Sequence, residues 1–90
     1  MTFLKIDEKN QIYYEYTEPK EKGCTFVFVN ALTGSTSTWN GDIGKKIVMK
    51  EHGYLTYNFR GQENSRFDEN IDLNTDIIVN DLCLLLEKLN

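Results

Sequence analysis

Ninety residues suffice for one small domain, and a chain that is 40% hydrophobic and 12% aromatic has the material for a core, which excludes a disordered segment. The net charge of −4, with lysine and glutamate mixed and no basic stripe, argues against nucleic acid or an anionic membrane as partner. The opening residues "MTFLKIDEKN" lack the apolar segment of a secretory signal and no apolar run approaches membrane-spanning length, so a cytoplasmic location is expected.

The stretch "FLKIDEKNQIYYEY" predicts a hairpin: residues 3–6, a polar turn over 7–10, then 11–16. Tyr13, Tyr14 and Tyr16 in its second strand are strand formers and need no binding role. Residues 17–23 hold the only proline and several charges and read as a loop. Residues 25–29 are almost continuously apolar, as suits a parallel strand covered on both faces. Trp39, Ile43 and Ile47, spaced by four, predict one face of a helix, with Gly53 as its C-cap. Residues 54–58 (YLTYN) predict a second interior strand, which runs into the polar turn "FRGQENSRF". Ile78, Leu82, Leu85 and Leu89 mark the apolar face of a closing helix, capped by Asp72, Asn74 or Thr75.

The order is therefore β-β-β-α-β-α, an α/β arrangement in one segment over residues 1–90 with no internal boundary. A strand-helix-strand unit needs a parallel sheet. Two interior strands and two amphipathic helices are too few to protect both sheet edges, and an exposed interior strand invites pairing with another chain. The segment also stops after a helix, where such a sheet would receive its next strand.

Several smaller features have plain structural readings. Ser35, Ser37 or Thr38 can satisfy the free N–H groups of a helix start. Neither Gly-x-Gly-x-x-Gly nor Gly-x-x-x-x-Gly-Lys-Ser/Thr occurs, and "GDIGKK" has the wrong spacing, so nucleotide binding is not expected. A small anion over "GSTST" is a weaker alternative. Trp39 reads as core. In "NFRGQENS", Gly61 is expected to supply an unusual backbone angle and Arg60 to bond nearby carbonyls. Asp68, Glu69, Asp72, Asp76 and Asp81 read as a solvated face, and His52 as a solvated helix-end residue that complements the dipole. Cys24 and Cys83 read as two reduced thiols. One histidine and no Cys-x-x-Cys point to no metal, and no cofactor is expected.

Three features in order carry a resemblance to the N-terminal part of the α/β-hydrolase superfamily. An aromatic hairpin comes first. A strand then leads into "NALTGSTSTW", which is similar to the family's His-Gly-x-x-Gly-Ser-x-x-x-Trp loop, with Gly34, Ser35 and Trp39 matching. Finally "YLTYNFRGQENS" is similar to a strand ending in Asp-x-Arg-Gly-x-Gly-x-Ser, with Arg60, Gly61 and Ser65 matching. The resemblance covers essentially all 90 residues. Asn30 and Ala31 stand where the family has His-Gly, Asn58 replaces Asp, and Glu63 replaces Gly.

The resemblance implies the N-terminal part of an α/β-hydrolase sheet, incomplete without the following strands. It implies an enzyme that cleaves an ester, thioester or related acyl bond of a small-molecule substrate. The loop after the third strand would give one backbone N–H of the oxyanion hole, from Leu32 or alternatively Ala31. Asn30, Thr33, Gly34 and Ser35 would then be the substrate-adjacent loop, and Arg60, Gly61 and Ser65 a supporting turn. Leu32 cannot hold halide as the asparagine of dehalogenase-like members does. The family's Gly-x-Ser-x-Gly nucleophile, its acid and its histidine are not in these residues, and nothing in the spacing joins Ser35, His52 and Asp42. The expected partner is the remaining C-terminal part of the hydrolase, or another copy through the sheet edge. The alternative is a non-catalytic interaction module that associates through that edge.

Overall fold

In the computed structural model, which describes residues 2–30, 35–62, 64–66, 68 and 73–89, the first two strands meet because Asp7 builds their turn. Its Oδ1 accepts the N–H groups of Lys9 and Asn10, both at 2.9 Å, and the Asn10 amide donates to both carboxylate oxygens at 2.9 and 3.1 Å. These bonds hold the Asp7 carboxyl below the ordinary carboxylate range, the Lys9 N–H contributing most and the Asn10 side chain next. The turn sets β1 (Thr2–Lys5) antiparallel to β2 (Gln11–Thr17), with Phe3 opposite Tyr13.

The chain continues through β3 (Thr25–Phe28), a 3₁₀ turn (Thr36–Thr38), α1 (Asp42–Met49), β4 (Gly53–Tyr57) and α2 (Thr75–Leu89). The four strands form one sheet in the order β1-β2-β4-β3. β4 runs antiparallel to β2 and parallel to β3, so α1 is the crossover that a parallel pair requires.

Alternation along the strands sorts side chains onto two faces. Leu55 and Tyr57 of β4 join Ile12, Tyr14 and Leu85 in the core between the sheet and α2, with Leu4, Leu82 and Leu89 packed around them. Burying Leu85 completely contributes about 1.5–3 kcal/mol. Tyr54 and Thr56 point to the other face, where α1 lies. Gly44 allows the approach there, since a Cβ at that position would come within 3.2 Å of the Tyr54 ring. Thr56 Oγ1 donates to Asn40 Oδ1 at 3.4 Å, and the Asn40 amide in turn donates to the Glu15 carboxylate. Asn74 caps α2 by accepting the Ile77 N–H at 3.0 Å, while Asp72, another expected cap, lies outside the described residues.

Four expectations are corrected. Trp39 precedes α1 rather than lying on it, and Ile43 is 44% exposed, because an Asn40–Gly41 step separates the 3₁₀ turn from the helix. Ser35 occupies the N-cap position of the 3₁₀ turn without a capping bond; its Oγ pairs with Ser37 Oγ at 2.7 Å. Gly53 is not a C-cap but the first residue of β4, where a Cβ would sit 2.2 Å from the Thr17 carbonyl oxygen. The chain reverses instead at Glu51, with φ of 68°. Finally, β3 is parallel as expected but is not covered on both faces. It is an edge strand, and Phe26 and Val27, on opposite faces, are 41% and 39% exposed.

Candidate functional site

Just beyond the C-terminal ends of β3 and β4, where ladder pairing stops, the chain places two buried carboxamides, Asn30 and Asn58. A buried amide needs partners, and here the partners come from four segments. The Trp39 indole Nε1–H donates to Asn30 Oδ1 at 2.7 Å. An indole can only donate, so the orientation of the Asn30 amide is fixed. Its Nδ2 then donates to Tyr57 O at 2.8 Å and Asn58 Oδ1 at 3.0 Å, with a longer reach to Gln62 Oε1 at 3.3 Å. The Thr36 N–H donates to the same Asn58 Oδ1 at 2.9 Å. Phe28 stacks on Trp39 with ring centroids 4.7 Å apart, holding the indole over the end of β3.

The turn after β4 is built on the same residue. Ser65 Oγ donates to Asn58 O at 2.7 Å and accepts the Tyr13 N–H at 2.9 Å, and Gln62 Oε1 accepts the Phe59 N–H at 2.8 Å. Gly61 takes φ of 85°, a left-handed angle that glycine adopts without strain, and its N–H donates to Ser65 O at 3.1 Å. Among the described residues, Arg60 bonds no carbonyl of its own turn. Its guanidinium reaches α2 and grips Asp81 through Nε and Nη2 at 2.7 and 2.8 Å, with both side chains at least nine-tenths buried. Asp81 is thus not part of a solvated face. Burial, and secondarily the Asp81 charge, push the Tyr57 hydroxyl up to about 12.

Ala31, Leu32, Thr33 and Gly34 lie outside the described residues. Asn30 and Thr36, which flank residues 31–35, are both bonded to Asn58. Ser35 is half-buried beside Thr36. His52 is elsewhere. Its Nδ1 accepts the Cys24 N–H at 3.1 Å and its ring stacks on Phe26, which ties it to the start of β3 rather than leaving it solvated at a helix end. Ser35 follows the opposite end of that strand, so Ser35 and His52 are not brought together.

Two apolar grooves lie on opposite faces of the sheet. One, on the α2 face, is lined by Tyr16, Thr25, Val27, Leu55, Leu86 and Leu89. The other, on the α1 face, includes Val48, Met49 and Tyr54. Cys24 and Cys83 are both free and exposed. Among the described residues no helix is long and apolar enough to cross a membrane.

Sequence reasoning missed Thr36, Gln62 and Asp81. Asp81 had a signal. It lies three residues after Ile78 and four before Leu85, on the apolar stripe, where a carboxylate implies a buried partner. Thr36 and Gln62 had none, because the first acts through its backbone N–H and the second from a turn.

No family model and no curated protein matches the chain. Solved structures do. The chain is 26% identical to MGS-M2, an α/β hydrolase enzyme from a Medee basin deep-sea metagenome library, with a TM-score of 0.78 over 99% of this chain and 31% of that one. A structure reported among carboxylesterases of the ammonia-oxidizing thaumarchaeon Nitrososphaera gargenis is 20% identical, with a TM-score of 0.83 over 99% and 32%. A hydrolase from Pseudomonas aeruginosa PA01 is 18% identical, with a TM-score of 0.77 over 98% and 32%. The four strands and two helices thus have the fold of the N-terminal part of an α/β hydrolase, and the chain spans about a third of the length of these structures.

Proposed function

We propose that this chain is the N-terminal portion of an α/β-hydrolase-type enzyme that cleaves an ester, thioester or related acyl bond, and that it supplies one backbone donor of the oxyanion hole. The donor is the Leu32 N–H, with Ala31 as the alternative, and Asn30, Thr33, Gly34 and Ser35 form the loop beside the substrate. When a nucleophile attacks the acyl carbon, the carbonyl electron pair moves onto oxygen. An N–H fixed beforehand at that point stabilises the charge, and removing such a donor costs about 2.7–4 kcal/mol. The observation that carries this reading is the anchoring of Asn30 and Thr36, which flank residues 31–35, on the single Asn58 side chain at the C-terminal ends of two parallel strands. Ligands of open α/β sheets bind at that end of the strands.

The nucleophile, its base and the orienting acid come from a complementary portion, whose first strand pairs with the open edge of β3. The substrate is a small acyl compound, and the two free thiols suit the reducing cytoplasm. The test is the longest reading frame that carries these residues, expressed whole. It is expected to hydrolyse p-nitrophenyl butyrate and to be labelled by a fluorophosphonate on a serine that follows Asn90. A frame with no serine, cysteine or aspartate elbow after Asn90, and no hydrolysis, refutes the proposal.

A second reading rests on the exposed apolar edge itself: a non-catalytic module that pairs through β3 with another copy. It predicts concentration-dependent association of the 90-residue chain in sedimentation. A folded monomer at all concentrations counts against it.

A further inference from the structure

We propose that Asn58 is a positioning residue, and that its carboxamide oxygen sets the span between Asn30 and Thr36. The inference rests on the acyl-hydrolase reading for its purpose and on the hydrogen-bond geometry for its substance. One oxygen accepts from the Asn30 side chain at 3.0 Å and from the Thr36 backbone at 2.9 Å, so the end of the β3 segment and the start of the 3₁₀ turn meet on one atom. A backbone N–H can only donate, so the atom facing Thr36 must be Oδ1. Asn58 cannot drift, because its own backbone is held on both sides. Its N–H donates to Tyr13 O at 3.0 Å and its C=O accepts Ser65 Oγ at 2.7 Å, which moors it to β2 and to the following turn. Asn30 is equally fixed, between the Trp39 indole and Tyr57 O. The clamp is thus a rigid oxygen, and what it holds is the two flanks of the residues proposed to meet the substrate oxygen. A displacement of such a donor lowers the rate of the chemical step more than it weakens substrate binding.

Three variants of the intact protein test this. Asn58→Ala removes the shared acceptor. Asn58→Asp keeps an oxygen for both donors and is the conservative rescue. Thr36→Pro deletes one arm only. It follows Ser35, whose extended angles (φ −153°, ψ 174°) suit the residue before proline, and it falls at the first position of a turn, where the ring is tolerated. Amide exchange is read first. Asn58→Ala should speed exchange of the Thr36 N–H and the Trp39 indole N–H by about tenfold or more relative to the Leu55 N–H in β4. Asn58→Asp should restore both, and Thr36→Pro should leave the indole protected. Equal acceleration at Leu55 means only global loosening and overturns the clamp, as does no acceleration at all. Hydrolysis of p-nitrophenyl butyrate is read second. Asn58→Ala and Thr36→Pro should lower kcat about tenfold or more with KM within about threefold, and Asn58→Asp should recover it. Faster exchange with unchanged kcat leaves the clamp in place and overturns its positioning role. A native protein without hydrolysis overturns the enzymatic reading, and exchange alone then decides the clamp.

Discussion

Truncating Asp81 to alanine should be among the most damaging single changes outside the sheet. The carboxylate is gripped at 2.7 and 2.8 Å by Arg60, and the two side chains are 4% and 9% exposed. Asp81→Ala removes both bonds and leaves a guanidinium in a site with little water. Breaking a buried pair in this way costs about 3–5 kcal/mol, against about 0.2–1 kcal/mol for an exposed one. The total stability of a chain of this length is of order 5–13 kcal/mol, so the loss takes a large share. Urea unfolding of wild type and variant, followed by circular dichroism, gives the difference directly, and in a thermal scan it should appear as a drop of more than about 12 °C. The double variant Arg60→Met/Asp81→Leu removes both charges and fills the space, and should recover most of the loss. A cost below about 1 kcal/mol for Asp81→Ala would show that the pair is solvated and that the turn after β4 is not tied to α2 through it.

Two further outcomes follow from the same packing. Tyr57 is raised to about 12 from an ordinary 10.0, so the folded state keeps its proton where the unfolded state loses it. The contribution, at most about 2.7 kcal/mol, is complete below pH 10 and lost as pH rises from 10 to 12. Base titration at 295 nm should show Tyr57 ionising late, and earlier in Asp81→Ala, with only part of the shift relieved since burial is the larger cause. Gly53→Ala should cost about 1–3 kcal/mol or more in urea unfolding, because the new methyl would lie 2.2 Å from Thr17 O and 2.6 Å from Pro19 N; a neutral result would mean that this backbone can part.

What the sequence made legible was whatever follows from period and polarity. The apolar runs at 25–29 and 54–58 became adjacent parallel strands, and Leu82, Leu85 and Leu89 of the predicted stripe became the core face of α2, with Ile78 half-buried outside the cluster. The errors share a cause, which is that spacing reports a face and not the place where an element begins. Trp39 fits the four-residue spacing of Ile43 and Ile47, yet it belongs to a separate 3₁₀ turn, where its indole is needed by Asn30. Gly53 sits where a C-cap would, yet the close passage of Thr17 makes glycine necessary at the start of β4. Arg60 was legible as part of a turn, but its partner lies 21 residues away on another element, and only the fold brings Asp81 to it. Of the Asn30–Asn58 pair the sequence singled out Asn30 in the loop after the third strand, whereas Asn58 drew notice only as a replacement for the family's aspartate. That Asn30 and Thr36, on either side of residues 31–35, meet on one oxygen of Asn58 is a three-dimensional fact with no trace in spacing.

The two edges of the sheet are unequal, and the inequality bears on chemistry. β1 presents exposed Thr2 and Lys5, the polar blunting expected of an edge that is meant to stay free. β3 presents Phe26 and Val27 on its two faces, and on the α2 face a groove beside it is lined by Val27, Leu86 and Leu89. A strand added there would turn that groove into core. Its direction matters. Neighbouring strands lie about 4.7–4.9 Å apart, so a strand parallel to β3 ends within about 5 Å of the Asn30 end of the sheet. A nucleophile on the turn after such a strand would stand beside Asn30 and Thr36, which Asn58 joins. An antiparallel strand, as two copies related by a twofold axis would supply, brings its starting end there instead and carries any such turn to the side of His52. Completion of the sheet protects the edge in either case, but only the parallel addition assembles a site.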